Sequence, residues 1–226
     1  MGAVIFDLDG TLADTSQDLL NAANQTFEKL GYEAPLTRET DHGVAFHGGR
    51  KMLSVGIERL TGAVDEDFVN AHYRTLLDEY ESALAVHTRF FDGVTEALET
   101  MKDRGHSFGI CTNKPYYLAE KLIAELGASH WFDALLGADS LDVRKPDPRH
   151  FTETYAAMMG AGPSLLVGDT VTDLKTSQAA NVPCILVDFG ARPEDTFEFD
   201  PFAVITAYHE LPDVVERAFS TQRSAA

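Results

Sequence analysis

Asp7 and Asp9 are the residues whose type and spacing most directly allow chemistry. They stand two apart in Ala3-Val4-Ile5-Phe6-Asp7-Leu8-Asp9-Gly10-Thr11-Leu12, after four apolar residues without polar alternation. Such a run reads as a strand buried on both faces of a parallel sheet. Alternation along an extended segment aims both carboxylates the same way, and two like charges that close need a cation or a shared proton. A carboxylate at a strand end suits a nucleophile that is phosphorylated and then hydrolysed. A second one suits a general acid and base for the leaving and attacking oxygens. Gly10 permits a tight turn, and Thr11 can satisfy amides exposed there. The tetrapeptide also reads as a plain turn. A calcium loop is excluded, because the further Asp or Asn and the closing Glu are missing at the required spacing.

Three more polar clusters follow apolar runs. In Thr112-Asn113-Lys114-Pro115 a hydroxyl, an amide and backbone N–H groups can donate to phosphate oxygens, although Thr and Asn are equally ordinary helix caps. In Arg144-Lys145-Pro146-Asp147-Pro148 two prolines fix the backbone around Lys145. An ammonium held there can neutralise a phosphoryl group and a nucleophile together, or simply lie in solvent at a rigid helix start. Gly168-Asp169-Thr170-Val171-Thr172-Asp173 places two acids four apart. With Asp7 and the Asp9 carbonyl they can form an oxygen shell for magnesium; the alternative is that they only complement a helix N-terminus.

The elements that must position these clusters alternate. Strands are expected at 3–6, 107–111, 134–136, 165–167, 184–187 and 203–205, with helices at 94–102, 116–126, 148–159, 172–180 and 211–219. This alternation predicts a doubly wound, Rossmann-like parallel sheet with helices on both faces, whose ligands bind outside the carboxyl ends of the strands. Between the first strand and the rest lie three helical patterns, at 18–30, 50–60 and 66–84, separated by a loop-rich passage at 34–49. The expected organisation is an α/β catalytic core of residues 1–14 and 87–226, with an all-helical insertion at 15–86 acting as a lid. The polar tail Ser220–Ala226 is expected to fray.

The chain has 226 residues, 44% of them hydrophobic, and a formal charge of −18. That charge argues against nucleic acid and anionic membrane surfaces as partners, since both need a basic footprint. It also means that an anionic substrate must be met by local positive charge or a metal. Cys111 and Cys184 sit in apolar runs and read as buried free thiols. With no membrane span and a strand starting at once, a cytoplasmic protein without a leader is expected, as a monomer or homodimer.

The motifs Asp7-Leu8-Asp9-Gly10-Thr11-Leu12, Thr112-Asn113, Lys145-Pro146 and Gly168-Asp169-x-x-x-Asp173 resemble, in order and spacing, the four motifs of the haloacid dehalogenase-like hydrolases. Thr15-Ser16-Gln17-Asp18-Leu19 and Thr112-Asn113-Lys114-Pro115 are similar to the phosphoglycolate phosphatase branch, which carries a small helical cap. A departure stands at Phe91-Asp92-Gly93, where many relatives have Pro before the Gly. The resemblance implies Asp7 as nucleophile forming an aspartyl-phosphate, and Asp9 as acid and base. It further implies Thr112, Asn113 and Lys145 as phosphate ligands, and Asp7, the Asp9 carbonyl, Asp169 and Asp173 around Mg²⁺. The expected reaction is Mg²⁺-dependent hydrolysis of a small phosphorylated metabolite, 2-phosphoglycolate first. A sugar-phosphate phosphatase or phosphomutase of the same fold is the alternative.

Substrate choice is expected in the inserted helices. Arg50, supported by His42 and His47, is the candidate there for a substrate carboxylate, against the plainer reading of Arg50 as the solvated first turn of a helix. A dehalogenase would need neither the acid at Asp9 nor a metal. A silent phosphate sensor would have no use for an intact Asp7, Asp9, Lys145 and Asp169.

Overall fold

The computed structural model describes residues 1–160, 162–190 and 200–225. The chain divides into two compact units: Met1–Ala13 with Phe90–Ala226, and Asp14–Arg89. It passes from the first to the second in a short strand β2 (Ala13–Asp14) and returns in β3 (Arg89–Phe90).

The first unit is built on a six-stranded sheet in the order β5-β4-β1-β6-β7-β8, every pairing parallel. Its strands are β1 (Ala3–Phe6), β4 (Ser107–Cys111), β5 (Ala134–Leu136), β6 (Ser164–Gly168), β7 (Cys184–Val187) and β8 (Ala203–Ile205). All four residues of β1 are buried, as a strand with neighbours on both edges and cover on both faces requires. The flanking helices are α5 (Val94–Asp103), α6 (Tyr116–Glu125), α7 (Pro148–Ala157), α8 (Val171–Ala179) and α9 (Leu211–Ala225). Helix α7 lies against β1, β4 and β5, α8 against β6 and β7, and α9 against β6. The fold class is therefore the α/β, Rossmann-like one that the alternation predicts.

Register carries the consequence for function. Phe6 pairs with Ile110 on one side and Val167 on the other, so Asp7 lies level with Cys111 and Gly168. From β1 the sheet grows outward in both directions, to β4 and β5 and to β6, β7 and β8. The carboxyl end of β1 is thus a topological switch point, where open parallel sheets leave a crevice.

The second unit is helical: α1 (Ser16–Lys29), α2 (Arg38–Phe46), α3 (Gly49–Thr61) and α4 (Glu66–Ser82). Its core forms where Phe27 of α1 stacks on Phe68 of α4, with ring centroids 5.5 Å apart. Asp65 caps α4 by accepting the Phe68 N–H at 2.9 Å. A buried Asp41 carboxylate binds the Arg59 guanidinium in two places and accepts the Thr37 N–H, joining α2 to α3. Burial pushes the Asp41 carboxyl up, but the Arg59 and Thr37 hydrogen bonds outweigh it and hold the group below the usual range.

Two expectations fail here. The passage 34–49 is not all loop, because α2 occupies most of it. The tail from Ser220 does not fray as far as Ala225, since α9 continues to that residue and Gln222 donates to the Ser164 carbonyl at 3.0 Å. Residue 226 lies outside the described residues. Cys111 and Cys184 are buried and free, with burial raising the Cys111 thiol to about 12. Among the described residues, no helix is long and apolar enough to cross a membrane.

Candidate active site

β1 delivers Asp7 to the switch point, where its N–H donates to the Val167 carbonyl at 2.9 Å. One carboxylate oxygen accepts the Leu8 N–H at 2.7 Å, and the other lies 3.0 Å from the Lys145 ammonium. Burial pushes the Asp7 carboxyl up to about 6; Lys145 opposes that shift and the Asp173 charge adds to it. The same burial removes much of the hydration that would otherwise surround this carboxylate.

Lys145 reaches this point from the loop before α7. Its side chain is 1% exposed and its Nζ lies 2.6 Å from Asp173 Oδ1 as well as 3.0 Å from Asp7. Burial alone would lower the ammonium pKa, yet the Asp173 and Asp7 charges outweigh it and raise the pKa well above its ordinary value. Lys145 is a fixed positive charge. Its loop is anchored by His150, whose Nδ1 accepts the Lys145 N–H at 3.2 Å. The other ring nitrogen lies 3.1 Å from the Gly137 carbonyl and must donate to it, so the buried ring is neutral. Burial and the nearby Lys145 charge lower the His150 pKa to about 4.

β6 ends in Gly168 and delivers Asp169, and the first turn of α8 delivers Asp173. Asp169 accepts the Thr11 hydroxyl at 2.9 Å. The backbone of Thr11 is fixed in turn by the buried Tyr208, which donates to its carbonyl at 2.7 Å. The second oxygen of Asp173 accepts the Thr170 N–H and hydroxyl at 3.1 and 2.7 Å. Gly168 has to be glycine, because a Cβ there would stand 2.4 Å from the Asp173 side chain. Asp7, Asp169 and Asp173 each offer an oxygen within 4.8 Å of the others'.

Asp9 lies beyond a turn closed by Gly10, which has φ +78° and whose N–H donates to the Ala13 carbonyl. Its carboxylate faces the Lys114 ammonium, 2.9 and 3.2 Å from the two oxygens. Thr112, at the end of β4, is buried, and its hydroxyl accepts the Lys114 N–H at 3.2 Å. The exposed Asn113 donates its amide to the Lys145 carbonyl at 3.0 Å, tying the β4 loop to the lysine loop.

The four carboxylates Asp7, Asp9, Asp169 and Asp173 thus meet two ammonium groups, Lys114 and Lys145. Among the described residues the carboxylates outnumber the ammonium groups in this partly buried cluster, which fits a hard divalent cation. Three residues missed in the sequence help to build the cluster. Lys114 and His150 act across 105 and five positions, and Tyr208 reaches Thr11 over 197. Only Lys114 left a trace in the sequence, as part of a strand-end motif.

Arg50, His42 and His47 belong to the helical unit and are engaged within it. The Arg50 guanidinium donates to Asn70, lies 3.9 Å from Glu66 and sits over the Tyr73 ring. His42 approaches Asp14 at 3.6 Å and meets Phe46 edge-on. His47 Nδ1 is 2.8 Å from the Gly43 carbonyl.

A parallel sheet with a buried-edge carboxylate at its switch point, a second acid two residues on, a fixed lysine and an acidic pair after β6 defines a class. Residues 4–187 match the family model of the haloacid dehalogenase-like hydrolases, and the chain belongs to that family. It is a hydrolase. It is 39% identical to the phosphoglycolate phosphatase of Mesorhizobium japonicum over 216 residues, 92% of each chain. It is 32% identical to that of Agrobacterium fabrum over 224 residues, 98% of this chain and 96% of the other. A crystal structure of a predicted phosphoglycolate phosphatase from Haemophilus somnus superposes with a TM-score of 0.82, covering 95% of this chain and 98% of that one at 21% identity. That likeness establishes the fold.

Proposed function

We propose that this hydrolase is a Mg²⁺-dependent phosphatase of small phosphomonoesters, with 2-phosphoglycolate as its substrate. The observation that carries this reading is the convergence of Asp7, Asp173 and Asp169 about Lys145 at the carboxyl ends of β1 and β6. The names of the relatives support the substrate.

In this reading Asp7 attacks phosphorus, the ester P–O bond breaks, and an aspartyl-phosphate forms. Asp9 gives a proton to the departing oxygen, then takes one from the water that attacks the aspartyl-phosphate. Lys145 holds Asp7 in place and draws in the phosphoryl oxygens. Thr112 accepts a hydrogen bond from the Lys114 N–H, which leaves its own proton for a phosphoryl oxygen. Asn113 positions Lys145 through its carbonyl and lines the same rim. Asp7, Asp169, Asp173 and the Asp9 carbonyl would hold Mg²⁺, which when bound neutralises charge on the phosphoryl group. The helical unit, residues 14–89, serves as the substrate-selecting cap, with Arg50, His42 and His47 as its polar contributors.

Phosphate release from a panel of phosphomonoesters, with and without Mg²⁺, tests this. The reading requires Mg²⁺-dependent turnover with 2-phosphoglycolate preferred over sugar phosphates by about tenfold or more in kcat/KM. An isomeric sugar phosphate as product, or no preference for the carboxylated ester, contradicts it.

A further inference from the structure

Tyr208 stands on a fixed platform, far along the chain from the acidic centre. It opens a single helical turn, Tyr208–Glu210, just before α9. The Glu210 carboxylate accepts the Thr206 and Ala207 N–H groups at 2.8 and 2.9 Å, which fixes the backbone that enters the turn. The buried ring meets Phe189, after β7, with centroids 5.5 Å apart, and Phe189 meets Phe91 at 4.8 Å. So confined, the side chain keeps one rotamer, and its hydroxyl donates to the Thr11 carbonyl at 2.7 Å. Burial first, then the Asp169 charge, raises the phenol pKa well above its ordinary value, so the hydroxyl remains a donor.

At the receiving end, the Thr11 N–H makes a long contact of 3.4 Å to the Leu8 carbonyl, so the bond from Tyr208 is the shorter tie on this residue's backbone. The next carbonyl, that of Leu12, accepts the Phe91 N–H at 3.0 Å, so the same aromatic group holds the turn at two successive positions. Threonine is β-branched and stiff, and its backbone largely decides where Oγ1 points. Here Oγ1 donates to Asp169 Oδ1 at 2.9 Å. Asp169 is one of the three carboxylates whose oxygens lie within 4.8 Å of one another. Magnesium demands near-octahedral geometry, so a carboxylate that rotates away from its set direction binds it less well. The phenol thus bears on the acidic centre at a remove of two hydrogen bonds.

We propose that Tyr208 is a positioning residue for the cation, acting through Thr11 to fix the Asp169 carboxylate in the direction that Mg²⁺ requires. This rests on the Mg²⁺-dependent reading above, and it extends the machinery of the site to the turn before α9.

The test reads Mg²⁺ affinity twice: without turnover, from melting temperature against the metal alone, and as the KM for Mg²⁺ in phosphate release. Tyr208→Phe keeps the ring and removes the hydroxyl. It should weaken Mg²⁺ binding by about fivefold or more, and raise the KM for Mg²⁺ by a larger factor than it lowers kcat at saturating metal. Thr11→Val removes the hydroxyl on Asp169 and leaves the Thr11 carbonyl in place. It should weaken Mg²⁺ by about tenfold or more. Because Tyr208 acts through that hydroxyl, adding Tyr208→Phe should then cost less than about twofold further. A tyrosine that is merely structural would lower the melting temperature equally with and without Mg²⁺, and that result overturns the proposal. A fall in kcat with Mg²⁺ affinity unchanged overturns it too, as does full additivity of the two substitutions. Each of these leaves the phosphatase in place. Should Tyr208→Phe fail to fold, Phe189→Leu, which loosens the ring and keeps the hydroxyl, should also weaken Mg²⁺; an unchanged affinity there counts against the proposal. Mg²⁺ binding by the wild type without phosphate release overturns the phosphatase reading and leaves the role of Tyr208 at the cation site standing. A wild type whose melting temperature ignores Mg²⁺ overturns both.

Discussion

Lys145 shows how much a single side chain determines at this site. Its ammonium is the only group between Asp7 and Asp173 in the described contacts, and both distances are short. Removing it leaves two buried like charges facing each other. Lys145→Met is expected to reduce kcat/KM by about a thousandfold and to cost about 3–5 kcal/mol of stability, read from steady-state kinetics and denaturant titration. His150 makes a second prediction at this scale. Its folded pKa of about 4 lies below its ordinary value of 6.5, so the unfolded chain binds the extra proton first as pH falls. Stability should therefore decline by up to about 3 kcal/mol as pH drops from about 6.5 to 4, with no further loss from this residue below that. The slope over this interval should flatten in His150→Asn; an unchanged slope would show that another group carries it. These residues also mark where the sequence is legible. Asp7 ends an unbroken apolar run, Lys145 precedes Pro146, and Asp173 follows Gly168-Asp169 after another apolar run, and that context singles them out. Lys114, His150 and Tyr208 take their roles from partners distant in the chain or from burial, which one-dimensional spacing does not encode.

Among the elements, β1 was readable because a strand flanked and covered on all sides must be apolar at every position. Helix α2 was not. Gly43 interrupts it, Pro35 and Gly48 flank it, and only Asp41, Ala45 and Phe46 are buried along it. One of those is a carboxylate whose partner, Arg59, lies on another helix. The end of α9 was missed for a different reason, since a helix continues into polar sequence when its early turns already pack. A prediction at this scale concerns the end of the helical unit. The buried Asp18 of α1 accepts the N–H groups of His87 and Thr88 and the Thr88 hydroxyl, at 2.8–3.1 Å. Asp18→Asn should weaken this charge-assisted set by about 1.5–3 kcal/mol. Hydrogen exchange at the His87 and Thr88 amides should accelerate, while the amides of β1 keep their protection. Unchanged exchange at His87 and Thr88 would mean that the segment is held by something else.

Taken whole, the molecule combines a formal charge of −18 with a buried acidic centre that holds two lysines. That overall acidity is offset locally, at one point in the sheet. A divalent cation that completes this balance should stabilise the folded chain. At about a hundred times its dissociation constant Mg²⁺ should add about 2.7 kcal/mol, seen as a rise in melting temperature. Asp169→Asn should abolish most of that rise. A shift that survives the substitution would place the cation elsewhere. The central claim, that Asp7 is the nucleophile of a phosphatase, is tested most directly by phosphate release from 2-phosphoglycolate by the wild type and Asp7→Asn at equal Mg²⁺. The account predicts turnover by the wild type only, with Asp7→Asn folded and reduced by at least about four orders of magnitude. Comparable release by the two proteins would contradict it.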